Sequence, residues 1–287
     1  MRVEPGTRAF VTGASRGIGA ALAHALAARG ATVGLAARST GELDELAERL
    51  PGKHHVLTCD VASTESVADA LAAFHDAAGG IELLVANAGI THYGPYREQS
   101  LEDQLQMSEV NWHGTLRTVH HGLPYLLDRG QGHVVVVSSG AALRSFPWAA
   151  VYGGTKAAQR MFAEALRHEL SGTGVSLTVV YPGEIATSLH THEKDRMPDW
   201  YRGGPHAASA DEMAAKILEA VEKDARSLHY PPIVRMLQVL HNVSPKASDT
   251  LLRKLRGGTA APRRVSELAR GLEQATLDDR GHLASRR

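Results

Sequence analysis

The stretch Ala9-Phe10-Val11-Thr12-Gly13-Ala14-Ser15-Arg16-Gly17-Ile18-Gly19 decides how the chain is read. A short apolar run with the look of a β-strand meets a glycine-rich turn. The Ala- and Leu-rich segment from Ile18 to Arg29 then reads as a helix that ends before Gly30. Glycines at such a turn let the backbone bend tightly and approach a ligand closely. The helix that follows points its N-terminal N–H groups and the positive end of its dipole at whatever the turn holds. A pyrophosphate is the anion expected in a turn placed between a first strand and its helix.

The same alternation continues outward from this turn. Strands are expected over 32–36, 55–58, 83–86, 133–137, 175–181 and 227–230. Helices are expected over 41–50, 63–78, 101–127 (in one or two pieces), 152–170 and 211–223. Ser63 reads as the N-cap of its helix. The strands are continuous apolar runs, most plainly Val134 to Val137, which implies burial on both faces. Strand–helix alternation with such strands predicts an α/β, Rossmann-like, doubly wound parallel sheet of about seven strands. Residues 1–231 read as one domain, and residues 232–287 as a helical extension and tail.

Composition narrows the function classes. The chain has 287 residues, 43% hydrophobic and 22% charged, the balance of an ordinary globular protein rather than a disordered one. Lys and Arg number 31, and Asp and Glu number 31, so no net basic charge points to nucleic acid. No apolar run is long enough to span a bilayer, and the N-terminus lacks a signal-peptide pattern. The single cysteine, Cys59, permits no internal disulfide and points to a reducing compartment, read as the cytoplasm. Of the 16 histidines, neither His120-His121 nor His190/His192 has the further ligands a metal site needs, so no metal is expected.

The spacing of Gly13, Gly17 and Gly19 resembles the T-G-x-x-x-G-x-G pattern of the short-chain dehydrogenase/reductase family. Other motifs of that family follow in order: Asn87-Ala88-Gly89, Asn111, Ser138-Ser139, Tyr152 with Lys156, and Pro182-Gly183. The resemblance covers roughly residues 7 to 230. It implies cofactor contacts from Gly13, Ser15, Arg16, Gly17, Ile18 and Gly19. It further implies contacts from Asp60 and Val61 near the adenine and from Asn87, Ala88 and Gly89 after the fourth strand. Around the nicotinamide it implies Pro182, Gly183, Ile185 and Thr187. Asp60 has an alternative use as a cap for the following helix.

The identity of the cofactor turns on the end of the second strand. Ala37 stands where NAD-binding members of the family carry Asp, which accepts from the ribose 2′-hydroxyl. Arg38 offers a planar fork to a 2′-phosphate, and Arg16 can reach the same group from the Gly-rich turn. NADP(H) is therefore expected. The alternative is that both arginines are solvated surface residues and the cofactor is NAD.

Tyr152 and Lys156 are four residues apart on an expected helix and share one face. An ammonium beside a phenol favours phenolate, which makes the pair an acid/base near neutral pH. In the family, the tyrosine exchanges a proton with the substrate oxygen, the lysine holds the nicotinamide ribose hydroxyls, and a serine positions the substrate oxygen. The family's spacing selects Ser139 over Ser138 for that role. Asn111 is expected to help hold a water-linked relay to Lys156. These readings make the chain an oxidoreductase that interconverts a hydrophobic ketone or aldehyde and its alcohol. The alternatives are an NAD-dependent alcohol dehydrogenase and a catalytically silent dinucleotide sensor.

On the substrate side, Tyr93, Leu143, Phe146 and Trp148 follow the ends of strands. The segment His190 to Tyr201 adds Met197, Trp200 and Tyr201 as an expected movable lid. The extension carries Ile233, Met236, Leu237, Leu240 and Val243 at helical spacing, followed by Leu251, Leu252 and Leu255 beside Arg253, Lys254 and Arg256. It is expected to cover the cleft or meet a second subunit, with contact to a membrane surface as the alternative. The family resemblance implies a homodimer or homotetramer.

Overall fold

The computed structural model describes residues 1–187 and 207–255, with side chains described as far as Leu251. Seven strands form one parallel sheet: β1 (Arg8–Thr12), β2 (Thr32–Ala37), β3 (His55–Thr58), β4 (Leu83–Ala86), β5 (Gly132–Val137), β6 (Val175–Pro182) and, after two short strands, β9 (Ser227–Tyr230). Their order is β3-β2-β1-β4-β5-β6-β9. The short strands β7 (Ile185–Ala186) and β8 (Ala208–Ser209) pair in parallel as a separate ribbon. Two residues are too few to show a period, so the sequence gives no sign of this ribbon.

Between the strands run α1 (Gly17–Ala27), α2 (Thr40–Arg49), α3 (Thr64–Ala78), α4 (Leu101–Met107), α5 (Gly114–Arg129), α6 (Ala150–Glu169) and α7 (Ala210–Glu222). The segment expected to be helical from 101 to 127 is one continuous run. Its middle, Ser108–His113, is wound as a π-turn between α4 and α5. Ser63 caps α3 as expected, its Oγ accepting from Ser66 N at 3.2 Å, and such a cap stabilises by about 1 kcal/mol.

Side chains that alternate along each strand supply two cores. Val11, Leu35, Val85 and Val135 pack with Leu22 and Leu26 of α1 and with Met213 and Ile217 of α7. Phe10, Leu84, Val134 and Val136 pack on the other face with Leu71 and Phe74 of α3 and with Leu166 of α6. Every residue of β5 is buried. This is why its sequence reads as an unbroken apolar run rather than an alternation.

The first compact unit of the chain runs from Met1 to Val239 and the second begins at Leu240. The first therefore extends past the boundary read at residue 231 and takes in the start of α8 (Ile233–Val243). Val234 in its first turn is 8% exposed and packs with the second core. On the same helix Ile233, Met236 and Val239 are exposed. In the second unit, α9 (Pro245–Leu255) begins at the proline that interrupts the helical pattern. Among the described residues, no helix is long and apolar enough to cross a membrane.

The strand order reverses between β1 and β4, whose partners β2 and β5 lie on opposite sides. Chain connections diverge there and leave a crevice at the carboxyl ends of the strands.

Candidate active site

A cleft of about 540 Å³ opens at that crevice. The β1–α1 turn contributes Gly13, Ser15, Arg16, Gly17 and Ile18, the end of β2 contributes Ala37 and Arg38, and the end of β3 contributes Asp60 and Val61. Asn87, Ala88 and Gly89 line it after β4, Ser139 after β5, Tyr152 and Lys156 from α6, and Pro182, Gly183, Ile185 and Thr187 after β6. Residues far apart in sequence and expected from separate motifs are thus brought to one surface. Ser39, Glu42, Cys59, Ile90, Val110 and Val137 also line it and were not anticipated. Glu42 stands in the first turn of α2, just after Arg38 and the N-cap Ser39. The others carry no sequence signal of a site.

Gly19 lies under the turn rather than on the cleft surface. A Cβ there would stand 2.2 Å from the Gly13 carbonyl oxygen and 2.7 Å from Asn87 Nδ2, a separation no side chain tolerates. Asn87 ties the turn to the end of β4: its Nδ2 donates to the carbonyls of Thr12 at 2.9 Å and Gly13 at 3.2 Å. Thr12 Oγ1 in return accepts from the backbone N–H groups of Asn87 at 3.0 Å and Ala88 at 3.2 Å. The N-terminus of α1 has no side-chain cap and no acidic residue in its first turn. Its free N–H donors and dipole are therefore left to an anion in the cleft. A backbone cradle whose N–H donors take no side-chain cap among the described residues fits the pyrophosphate of a dinucleotide.

At the other end of the cleft, Ser139 lies beside the buried Tyr152. Lys156 Nζ donates to the Val137 carbonyl at 3.1 Å and lies 5.8 Å from the centre of the Tyr152 ring. Ser138 is engaged differently. It is 3% exposed, and its Oγ donates to the Lys156 carbonyl at 2.8 Å. The expected lowering of the tyrosine pKa by the lysine is overturned here. Burial raises the Tyr152 phenol above its ordinary value, opposed by the Ser139 hydroxyl, and burial pushes Lys156 down to about 7. Desolvation disfavours the charged form of each group, which keeps Tyr152 a neutral phenol and brings the titration of Lys156 to neutral pH.

Asn111 sits behind the cleft, fully buried in the π-turn. Its Oδ1 accepts from Ile90 N at 2.8 Å, and its Nδ2 donates to the Ile90 carbonyl at 3.0 Å and to Thr155 Oγ1 at 3.2 Å. Asp60 does not cap α3, whose N-cap is Ser63; it lines the cleft, and its Oδ1 accepts from Ala62 N at 2.9 Å in an Asx-turn. Arg16 and Arg38 are exposed.

The expected substrate residues divide. Tyr93 and Phe146 pack beside the catalytic tyrosine candidate, with the Tyr93 ring 6.3 Å from that of Tyr152 and 6.1 Å from that of Phe146. Leu143 corrects the expectation. It is 8% exposed and packs in the core cluster that holds Val179, Tyr181 and Val234, because the 3-10 turn over Gly140–Ala142 swings it inward. Trp148 holds a left-handed backbone (φ 74°), and its carbonyl accepts from Gly94 N at 3.3 Å, so it shapes a loop. None of Tyr93, Leu143, Phe146 and Trp148 lines the cleft, and Tyr93, at 2% exposed, is buried behind Tyr152. Met197, Trp200 and Tyr201 lie outside the described residues.

Comparison with known proteins agrees with this geometry. The profile of the short chain dehydrogenase family matches residues 7–198. A glycine betaine reductase of Emericella nidulans is 38% identical over 187 residues, which cover 64% of this chain and 15% of that protein. Two solved structures share the fold. A short chain dehydrogenase from Burkholderia cenocepacia in complex with NADP gives a TM-score of 0.75 at 28% identity, covering 88% of this chain and 99% of that one. A short chain dehydrogenase/reductase from Burkholderia phymatum in complex with NAD gives 0.79 at 24% identity, covering 86% and 96%. With the family profile running from the Gly-rich turn past the end of β6, the chain belongs to the short-chain dehydrogenase/reductase family, oxidoreductases that act on CH–OH groups.

Proposed function

We propose that this protein is an NADP(H)-dependent carbonyl reductase that interconverts a hydrophobic ketone or aldehyde and its alcohol. The reading rests on the two ends of one cleft: Ser139, Tyr152 and Lys156 meet at one, and Arg16 and Arg38 flank the other. Ala37 leaves the end of β2 without a carboxylate, and two guanidinium groups with a nearby Ser39 hydroxyl suit a 2′-phosphate. Glu42 sets one negative charge at the same end. The solved relatives carry NADP in one case and NAD in another, so this choice belongs to the chain's own residues.

Bound there, the cofactor supplies the hydride, and the chain supplies orientation and the proton. The Tyr152 hydroxyl gives its proton to the substrate oxygen as a carbonyl is reduced and takes it back in the reverse direction. Ser139 donates to the same oxygen and holds the tyrosine in line. Lys156 spends one hydrogen on the Val137 carbonyl, which aims the rest of the ammonium into the cleft toward the ribose hydroxyls. With its pKa pushed down to about 7, Lys156 can gain and lose a proton at neutral pH and so reset the tyrosine. Ile90 lines the cleft, and Tyr93 and Phe146 pack behind Tyr152 in an apolar cluster, surroundings that favour a hydrophobic substrate.

The reading extends to a homodimer or homotetramer in a reducing compartment, the cytoplasm. An apolar groove of about 460 Å³ lined by Leu116, Leu123 and Phe162 runs along α5 and α6, and Cys59 is a free, buried thiol.

Titrating the protein with NADPH and with NADH, followed by intrinsic tryptophan fluorescence, tests the cofactor. Binding of NADPH tighter by tenfold or more is expected, and equal or tighter NADH binding overturns the choice. Tyr152→Phe tests the chemistry: it is expected to bind NADPH like the wild type while turnover of aromatic ketones falls by roughly 10²–10⁴. A near wild-type rate overturns the mechanism.

A further inference from the structure

Gln159 lies one helical turn beyond Lys156 on α6, fully buried between α6 and the π-turn. Its Nε2 donates to the main-chain carbonyl of Asn111 at 2.8 Å and to Thr115 Oγ1 at 2.6 Å. The Thr115 hydroxyl donates in turn to the same Asn111 carbonyl at 2.8 Å. A carbonyl oxygen has two lone pairs, and both are taken. The amide orientation is fixed by this network, because the acceptor-only carbonyl must face the nitrogen of Gln159. The other end of the amide gains nothing: Gln159 Oε1 is buried with no hydrogen-bond partner among the described residues.

A buried amide with an unpaired oxygen destabilises the fold relative to an aliphatic side chain of the same volume. What it provides in exchange is directional. Its two donors hold the π-turn at the residue whose side chain reaches the catalytic end of the cleft. Asn111 bonds both backbone groups of Ile90, and it stands close to Lys156. A Cβ on Gly89 would lie 3.2 Å from Asn111 Oδ1 and 3.4 Å from Lys156 Nζ. Interruptions of the α-helix by a π-turn recur at functional sites, where they set one side chain at an angle that an α-helix does not offer.

We propose that Gln159 is a positioning residue: with Thr115 it saturates the Asn111 carbonyl, fixes the π-turn, and thereby sets the Asn111 side chain against Ile90 and beside Lys156. Asn111 then serves Lys156 through the geometry of its side-chain amide. The inference rests on the reading of Tyr152 and Lys156 as the acid/base pair, so its test carries one measurement that does not need catalysis.

The chain has three asparagines, Asn87, Asn111 and Asn242. Protein labelled with ¹⁵N at asparagine alone gives three side-chain amide pairs, assigned by substituting Asn87 and Asn242. In the wild type the Asn111 pair is expected to exchange slowly with solvent. In Gln159→Met, which keeps volume and removes both donors, that exchange is expected to quicken by about tenfold or more. The kcat for acetophenone reduction with NADPH is expected to fall by roughly tenfold, with KM within twofold and the kcat pH profile displaced. Thr115→Val removes the second donor and is expected to change the same observables in the same direction, so it decides the matter if Gln159→Met does not fold. Unchanged Asn111 exchange overturns the proposal. So does a lowered melting temperature with unchanged kcat and pH profile, which makes Gln159 a packing residue. If wild type and Tyr152→Phe turn over equally, the acid/base reading fails instead, and the exchange measurement still reports on Gln159 and Asn111.

Discussion

Ser138 and Ser139 are neighbours at the end of β5 and are put to different uses: Ser138 Oγ donates to the Lys156 carbonyl at 2.8 Å, while Ser139 stands in the cleft beside Tyr152. The first is an anchor for α6, and the second belongs to the reacting end of the cleft. Ser139→Ala is expected to lower kcat by roughly 10²–10³, the cost of removing one donor aimed at a developing oxyanion. Ser138→Ala is expected to leave kcat within a fewfold and to cost about 1 kcal/mol of stability. Steady-state kinetics and thermal melts of the two variants check this; an exchange of the two phenotypes reverses the assignment.

Lys156 is kept in a place that penalises its charge. Its pKa is about 7 in the fold against roughly 10.4 in an unfolded chain. Between those values the unfolded chain binds more protons, so stability rises with pH across the window, and the full penalty is felt below it. Lys156→Met is therefore expected to melt higher than the wild type at pH 7, with the gap shrinking toward pH 10, while losing activity. Parallel melting curves from pH 7 to 10 would show that the lysine is not desolvated.

His133 gives a second pH signature, far from the cleft. Thr178 Oγ1 donates to the Ala225 carbonyl at 2.6 Å and so accepts from His133 Nε2 at 2.8 Å. This leaves Nδ1 unprotonated, buried and without a partner among the described residues. Burial pushes the ring down to about 4, against an ordinary value near 6.5. The unfolded chain takes up the proton first, so stability is expected to fall by about 3 kcal/mol as pH drops from about 6.5 to 4. His133→Phe removes this component and is expected to flatten the difference in Tm across that range. An unchanged slope would mean that His133 is already charged in the fold.

Ala37 is the position at which the cofactor choice can be turned. Ala37→Asp places a carboxylate beside Arg38 at the end of β2, where it accepts from a ribose hydroxyl and repels a phosphate. The Kd for NADPH is expected to rise roughly 10- to 100-fold while that for NADH holds or falls. Fluorescence titration of the variant checks it, and an unchanged ratio removes Arg16 and Arg38 from the argument.

Much of the site was legible because its signals are local. The Gly13, Gly17, Gly19 spacing lies within one turn, and Tyr152 and Lys156 lie within one turn of helix. Most of the residues expected around the cofactor do line one cleft. Gly19 is the exception that explains itself, since it is needed beneath the turn rather than at the surface. Leu143 was misplaced because an apolar residue after a strand suits a pocket and a core equally, and only the turn at Gly140–Ala142 chose between them. Gln159 gave no signal, because its partners lie 44 and 48 residues away along the chain.

The sequence by itself determined the alternation of strands and helices, the buried parallel sheet and the chemistry available at the ends of the strands. Those follow from periodicity and from residue types a few positions apart, which short-range sterics and hydrogen bonding translate directly into local structure. The tertiary structure decided that Ser138 anchors α6, how Asn111 is held, and in which direction the Tyr152 and Lys156 pKa values move. Those depend on which distant groups are packed together and on how much water is excluded between them. Desolvation and long-range hydrogen bonding arise only once the chain has closed on itself.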